Sequence, residues 1–254
     1  MEPLALQDLI VLFLCGGIAG FIDSIAGGGG LISLPMLLSV GLPPQIALGT
    51  NKLQSTFGSL AATINYARQG LIDFRGALWG VVCTAIGAVV GAIAVQLLDK
   101  SILTRTIPLL LTAIFFYVLF SPRLGEKDMR TRLKETLFYP MAGLLLGFYD
   151  GFFGPGVGTF WTIAFVTLLG YNLKRATGHT KLMNFTSNAV SLVAFALAGK
   201  LVLVAGFVMG FGQLLGAWSG SHLVIKKGTG FIRAVFLAVV GVTIVRLLTI
   251  AYLR

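Results

Sequence analysis

The sequence predicts an all-α, polytopic membrane protein of about ten segments, arranged as two inverted-topology repeats of five. Three observations lead there. Of 254 residues, 56% are hydrophobic and only 11% charged, where a soluble domain carries about a quarter charged residues; mean hydropathy is +0.92. Long apolar runs recur from end to end. Short motifs also recur in the same order in the two halves. The runs are continuous and do not alternate apolar with polar, which argues against a β-barrel.

The first run, residues 9–26, has acidic Glu2 and Asp8 where a signal peptide would be basic, and further runs follow, so it reads as a span. Residues 31–42 are short: about 12 residues of helix reach ~18 Å against a hydrocarbon core of ~30 Å. They read as a half-helix or re-entrant piece. Runs at 45–66, 76–98 and 103–120 complete a first repeat within residues 1–120. A basic linker, 121–136, holds Arg123, Lys127, Arg130, Arg132 and Lys134. It is the strongly polar stretch of the chain and belongs in the cytoplasm. The second repeat, 137–254, has runs at 137–153, 159–169, 180–197, 201–225 and 231–253, the second of them again short. Five segments on each side of a cytoplasmic linker put both termini outside. Arg68, Arg75, Lys174, Arg175, Lys226 and Lys227 would then lie inside, against Lys100, Arg105, Lys200 and Arg254 outside, as the positive-inside rule asks.

The repeat rests on three matches. GFIDSIAGGGG (20–30) aligns with GFYDGFFGPGV (147–157), pairing Asp23 with Asp150. ALGTNKL (47–53) aligns with ATGHTKL (176–182), pairing Lys52 with Lys181. GAVVG (87–91) aligns with GAWSG (216–220). For Gly87, Gly91, Gly216 and Gly220 the favoured reading is close helix packing.

The embedded charges are Asp23, Asp150, Lys52, Lys181 and Arg246. Arg246 sits near the end of its run, where it snorkels. The other four cost ~2.5–3.5 kcal/mol or more apiece near a bilayer centre, so they face a cavity or a partner. Residues 9–42 would reach ~51 Å as one helix, short of two full crossings of ~30 Å each. The turn at Gly27, Gly28, Gly29 and Gly30 therefore stays below the membrane surface, where non-helical backbone must be buried in protein or line a watery cavity. Its N–H groups and the start of the next short helix form an anion-binding nest. Gly154, Gly156 and Gly158 repeat that turn, with Pro155 removing one donor. Paired Gly/Pro-interrupted short segments in two halves point to a transporter's binding site. Two roles compete for Lys52: holding an anionic substrate, or serving as counter-ion to Asp23, with Lys181 pairing Asp150. Asn51, Thr180, Asn184 and the neighbouring Thr50, Gln54 and Asn188 add polar groups to the site. His179 titrates near neutral pH if free, though a satisfied hydrogen-bonder is the commoner role. Asp23, Asp150 and His179 are the coupling or ion-pair candidates.

The net charge of +10 reflects loop lysine and arginine rather than a nucleic-acid partner. Cys15 and Cys83 lack metal spacing, and no metal or cofactor is implied. Neither HExxH nor GxSxG occurs, which argues against an enzyme. A structural membrane subunit would leave the repeated embedded charges unexplained.

At GFIDSIAGGGGLISLP, ALGTNKLQ and GFYDGFFGPGVG the chain resembles the TauE/SafE, or sulfite-exporter, family of membrane transporters, in its YfcA-like branch. The resemblance covers essentially the whole chain. It implies movement of sulfite, organosulfonates or related sulfur-containing anions across the cytoplasmic membrane of a bacterium. Combined with the residues above, the expectation is a secondary carrier with its site between the repeats, working by alternating access. Its partners are a small anion and the bilayer, with a proton or Na⁺ as candidate coupling ion. A carrier for another organic anion, or an anion channel, is the alternative.

Overall fold

The computed structural model describes residues 4–120 and 130–227. Among them are nine helices: α1 (Leu6–Ala26), α2 (Gly30–Ser39), α3 (Pro44–Arg68), α4 (Leu78–Gln96), α5 (Lys100–Phe120), α6 (Glu135–Phe152), α7 (Val157–Leu168), α8 (Leu173–Leu197) and α9 (Leu203–Lys227). All-α is right; about ten segments in two inverted sets of five is not. Three helices are long and apolar enough to cross a membrane by length and composition: Leu6–Ile25 in α1, Leu78–Gln96 in α4 and Leu203–Leu223 in α9. Polar content separates the others from that set. The 25-residue α3 and α8 bury Thr50, Asn51, Lys52 and Gln54, and Thr177, His179, Thr180, Lys181 and Asn184. α5 opens on Lys100 and carries Arg105. α2 and α7 have 10 and 12 residues. The expected tenth segment, 231–253 with Arg246, lies outside the described residues, as do linker residues 121–129.

Local chemistry sets several helix ends. The Asp8 carboxylate accepts the Ala5 N–H at 3.1 Å ahead of α1. Pro44 opens α3, where its missing N–H costs nothing. The Asn172 side chain accepts the Arg175 N–H at 3.0 Å and caps α8. The end of the linker is tied down too: Arg132 and Leu133 N–H groups donate to Leu168 O at the end of α7, at 2.9 and 3.0 Å.

α3 and α8 pack on each other at the centre. α9 lies against α3 and α4 against α8; α1 then covers α9, and α6 covers α4. The two outer seams are made of glycine. A Cβ on Gly16 or Gly20 of α1 would strike the Met209 or Gln213 carbonyl, and one on Gly212 or Gly216 of α9 would strike that of Phe13 or Gly17. Gly87 and Gly91 of α4 meet the Leu144 and Phe148 carbonyls in the same way, and Gly147 and Gly151 of α6 meet those of Thr84 and Ala88. Backbones that approach this closely gain dispersion contacts along their whole length, which drives helix association where lipid is as apolar as leucine. Leu14, Ile18, Trp79, Ile86, Ile93 and Leu215 face outward, as a lipid-facing surface requires. The seams bring α1 and α6, the helices that carry the two aspartates, against the central pair.

Gly91→Leu should force α4 from α6 and cost on the order of 1–3 kcal/mol or more. Fluorescence-detected size exclusion and thermal unfolding in detergent would show a lower melting temperature or aggregation. The outward-facing Val90→Ala should behave as wild type.

Candidate functional site

The two short helices begin at two turns, and the turns touch. α1 ends at Gly27, whose φ of +72° stops the helix, and Gly28 follows at +103°. α6 is followed by Gly154 at +99° and Gly156 at +84°. Only glycine enters these conformations without strain. A Cβ on Gly27 would lie 2.6 Å from the Gly158 carbonyl carbon, one on Gly158 would lie 2.9 Å from Gly27 Cα, and one on Gly30 would lie 3.1 Å from Pro155 Cα. Gly27, Gly30 and Gly158 thus serve the approach of one turn to the other. The buried turns also settle their own polar groups, as interior backbone must. Tyr66 donates to Ser24 O at 3.0 Å and Tyr149 to Pro155 O at 2.6 Å.

The four embedded charges form two ion pairs, and the pairing crosses between the motif copies. Lys52 Nζ donates to Asp150 Oδ1 at 2.7 Å and to the Asp150 carbonyl. Lys181 Nζ donates to Asp23 Oδ2 at 2.9 Å. The counter-ion pairs expected from the sequence, Lys52 with Asp23 and Lys181 with Asp150, are therefore exchanged. Each lysine is the ninth residue of a 25-residue helix, ~12 Å along it, and points at the outer helix of the other copy.

The rest of the polar shell is asymmetric. Asp23 Oδ1 accepts the Gly28 and Gly29 N–H groups at 3.1 and 3.0 Å, so the expected anion nest is already filled by the protein's own carboxylate. Asp150 Oδ2 instead accepts the Ser187 hydroxyl. A Cβ on Gly154 would sit 2.9 Å from both Asp150 Oδ1 and Lys52 Nζ, so this glycine makes room for the pair. Asn51 Oδ1 accepts from Ser33 at 2.5 Å and from Gln54 at 2.8 Å.

One cavity gathers most of these groups. Asp23, Gly28, Gly30, Asn51, Lys52, Asp150, Gly154, Gly156, Gly158 and Asn184 line it. Its volume is about 30 Å³, room for on the order of two waters. Lys181 reaches the cavity only through Asp23, and the Thr180 hydroxyl lies 3.2 Å from that of Thr162 instead. Sequence reasoning missed Ser55 on this wall, and Ser187 behind Asp150. Helical spacing was the available signal: Ser55 stands four residues beyond Asn51 and Ser187 three beyond Asn184, on the same faces.

His179 stands apart from the cavity. Its Nε2 accepts the Asp73 backbone N–H at 3.2 Å. A backbone N–H only donates, so Nδ1 carries the proton of the neutral ring and faces the Tyr139 hydroxyl at 3.2 Å. Nε2 holds the loop between α3 and α4 to α8, and Nδ1 links α8 to α6. In that exposed loop the Gly76 and Arg75 N–H groups, each 3.1 Å from Asp73 Oδ1, hold the Asp73 carboxyl below its usual range.

Residues 12–247 match the family model described as "Sulfite exporter TauE/SafE". A "Probable membrane transporter protein YfcA" of Escherichia coli strain K12 is 45% identical over 238 residues, covering 94% of this chain and 88% of that one. A "Probable membrane transporter protein" of Haemophilus influenzae is 45% identical over 225 residues, covering 89% and 88%. The "Probable membrane transporter protein ORF9" of a Sinorhizobium species is 42% identical over 248 residues, covering 98% and 95%. No solved structure matches the chain significantly.

Removing one partner of the innermost pair strands a buried charge, at about 3–5 kcal/mol. Asp150→Asn and Lys52→Met should each lower the melting temperature sharply, and the double variant should recover much of the loss. A double-mutant cycle should give strong coupling for Lys52 with Asp150 and little for Lys52 with Asp23; the reverse would contradict the crossed pairing.

Proposed function

This chain belongs to the YfcA-like branch of the sulfite exporter TauE/SafE family, and on that footing we propose that it is a secondary carrier of a small sulfur-containing oxyanion or organosulfonate, working by alternating access. Membership alone makes it a multi-pass membrane transporter and not an enzyme. The observation that carries the finer reading is the convergence of two buried cation–carboxylate pairs and two glycine turns on one small polar cavity beside the central helices. A buried lysine beside backbone N–H groups is the chemistry that replaces an oxyanion's hydration shell.

The size of the cavity favours a carrier over a channel: at about 30 Å³ it holds on the order of two waters, far less than a continuous pore. The carrier resides in the cytoplasmic membrane of a bacterium, with the basic 121–136 linker on the cytoplasmic side. Export of an anion from a negative interior gains ~2.3 kcal/mol per charge per 100 mV, so a coupling ion is not required. Where a proton or Na⁺ takes part, Asp23 and Asp150 are the groups placed to bind it.

Counterflow in proteoliposomes decides the substrate: labelled sulfite, thiosulfate, sulfoacetate or taurine should exchange against itself, whereas exchange of carboxylates alone would point to another organic anion. Lys52→Ala and Lys181→Ala should each lower the rate at least about tenfold, a loss of ~1.4 kcal/mol of stabilisation. Full activity in both would remove the lysines from the mechanism. Single cysteines in the 121–136 linker should react with impermeant thiol reagents only from the cytoplasm; reaction from outside would reverse the orientation.

A further inference from the structure

Asp23 holds the donors that a substrate would need. Its Oδ1 takes the Gly28 and Gly29 N–H groups at 3.1 and 3.0 Å, and its Oδ2 takes the Lys181 ammonium at 2.9 Å. Three donors from two separate elements thus close on one carboxylate, as they would close on two oxygens of a bound oxyanion. The second turn is built differently. Pro155 brings no N–H there, and Asp150 is held by Lys52 and the Ser187 hydroxyl. The Lys52 and Asp150 side chains are 1% and 3% exposed, whereas that of Asp23 is 15% exposed. Both pairs border the cavity, but Asp23 is the more exposed carboxylate and Lys181 lies behind it.

We propose that Asp23 is an internal anion that occupies the site in place of substrate. The substrate oxyanion binds by displacing the Asp23 carboxylate from Gly28, Gly29 and Lys181, while the Lys52–Asp150 pair stays closed and fixes the second turn. The proposal rests on the carrier reading given above and assigns unequal roles to two motifs that match in sequence. Electrostatics require the exchange. A second anion beside an ionised Asp23 would face an uncompensated buried charge, and an empty site without Asp23 would leave Lys181 bare. The groups facing Asp23 are Lys181 of α8 and the Tyr66 hydroxyl of α3, with Lys52 and Asp150 across the cavity; α2, α7 and α9 present no charged side chain there among the described residues.

Asn184 supplies an independent sign that the cavity takes a ligand. Its side chain lines the cavity and its residue is 4% exposed, yet its amide oxygen has no partner. A buried acceptor without a donor is costly. An oxyanion that carries its own O–H or N–H satisfies it once Asp23 has moved aside.

The test is chemical rescue. Asp23→Ala leaves a carboxylate-sized space lined by three free donors. Its melting temperature in detergent should fall below wild type and recover saturably with sodium formate. Sodium gluconate at equal ionic strength, too large for the space, should have no such effect, and wild type should not respond to formate. Formate acting no better than gluconate would overturn the proposal. Should Asp23→Ala fail to fold, the isosteric Asp23→Asn removes the internal charge at constant shape. It should bind labelled sulfite at least tenfold tighter than wild type, and Asp150→Asn should not. Unchanged or weaker binding in Asp23→Asn, or an equal gain in Asp150→Asn, would overturn it. Formate rescue without sulfite counterflow would sink the substrate assignment and leave the internal anion standing; counterflow without rescue would do the opposite.

Discussion

Two lysines are buried at the centre of this protein, and each needs a partner there. An unpaired ammonium in a low-dielectric interior costs several kcal/mol even after relaxation. Each is neutralised by an aspartate at the end of an outer helix: Lys52 of α3 by Asp150 of α6, and Lys181 of α8 by Asp23 of α1. That requirement organises the rest. The outer helices must come close enough to deliver their carboxylates, and the glycine seams of α1 on α9 and of α4 on α6 allow it. The helices must also stop at the right depth, and the turns at Gly27 and Gly154 stop them.

The glycines divide by task. Gly27, Gly30 and Gly158 let one turn rest on the other, Gly154 clears space over the Lys52–Asp150 pair, and Gly28 and Gly29 turn their N–H groups onto Asp23. A side chain at any of the first four would push backbone or charge aside. The turns are therefore joints as well as donors. The two turns rest on each other beside the cavity, so a displacement of one bears directly on the other.

Much of this was legible in the sequence. The matched Asp23/Asp150 and Lys52/Lys181 stood out because charge in an apolar run is expensive, and the short helices stood out because 10 to 12 residues do not cross a bilayer. The packing role of Gly87, Gly91, Gly216 and Gly220 followed from their four-residue spacing. The partner of each lysine was not legible. Proximity in sequence favours Asp23 for Lys52, and only the stacking of α1, α9, α3, α8, α4 and α6 shows that the other aspartate is nearer. The segment count failed for a related reason. A scan for apolar runs counts α3 and α8 as spans, although their faces toward the centre are a run of Thr, Asn, Lys, Gln, His and Ser. His179 looked like a candidate for proton chemistry, whereas its two nitrogens are committed to Asp73 and Tyr139.

A carrier needs a site that excludes solvent in one state and meets it in two others. The cavity walled by Ser55, Asn184 and Asn188 holds on the order of two waters, and the ion pairs beside it keep the interior neutral. The most direct measurement of this account is side-resolved thiol labelling at that wall. In a background with Cys15 and Cys83 replaced by alanine, Ser55→Cys should react with a small charged methanethiosulfonate from each face of the membrane in turn, and sulfoacetate, which does not react with the reagent, should protect it from both. A cysteine there that reacts from neither face would show that the cavity is interior packing and not the transport path.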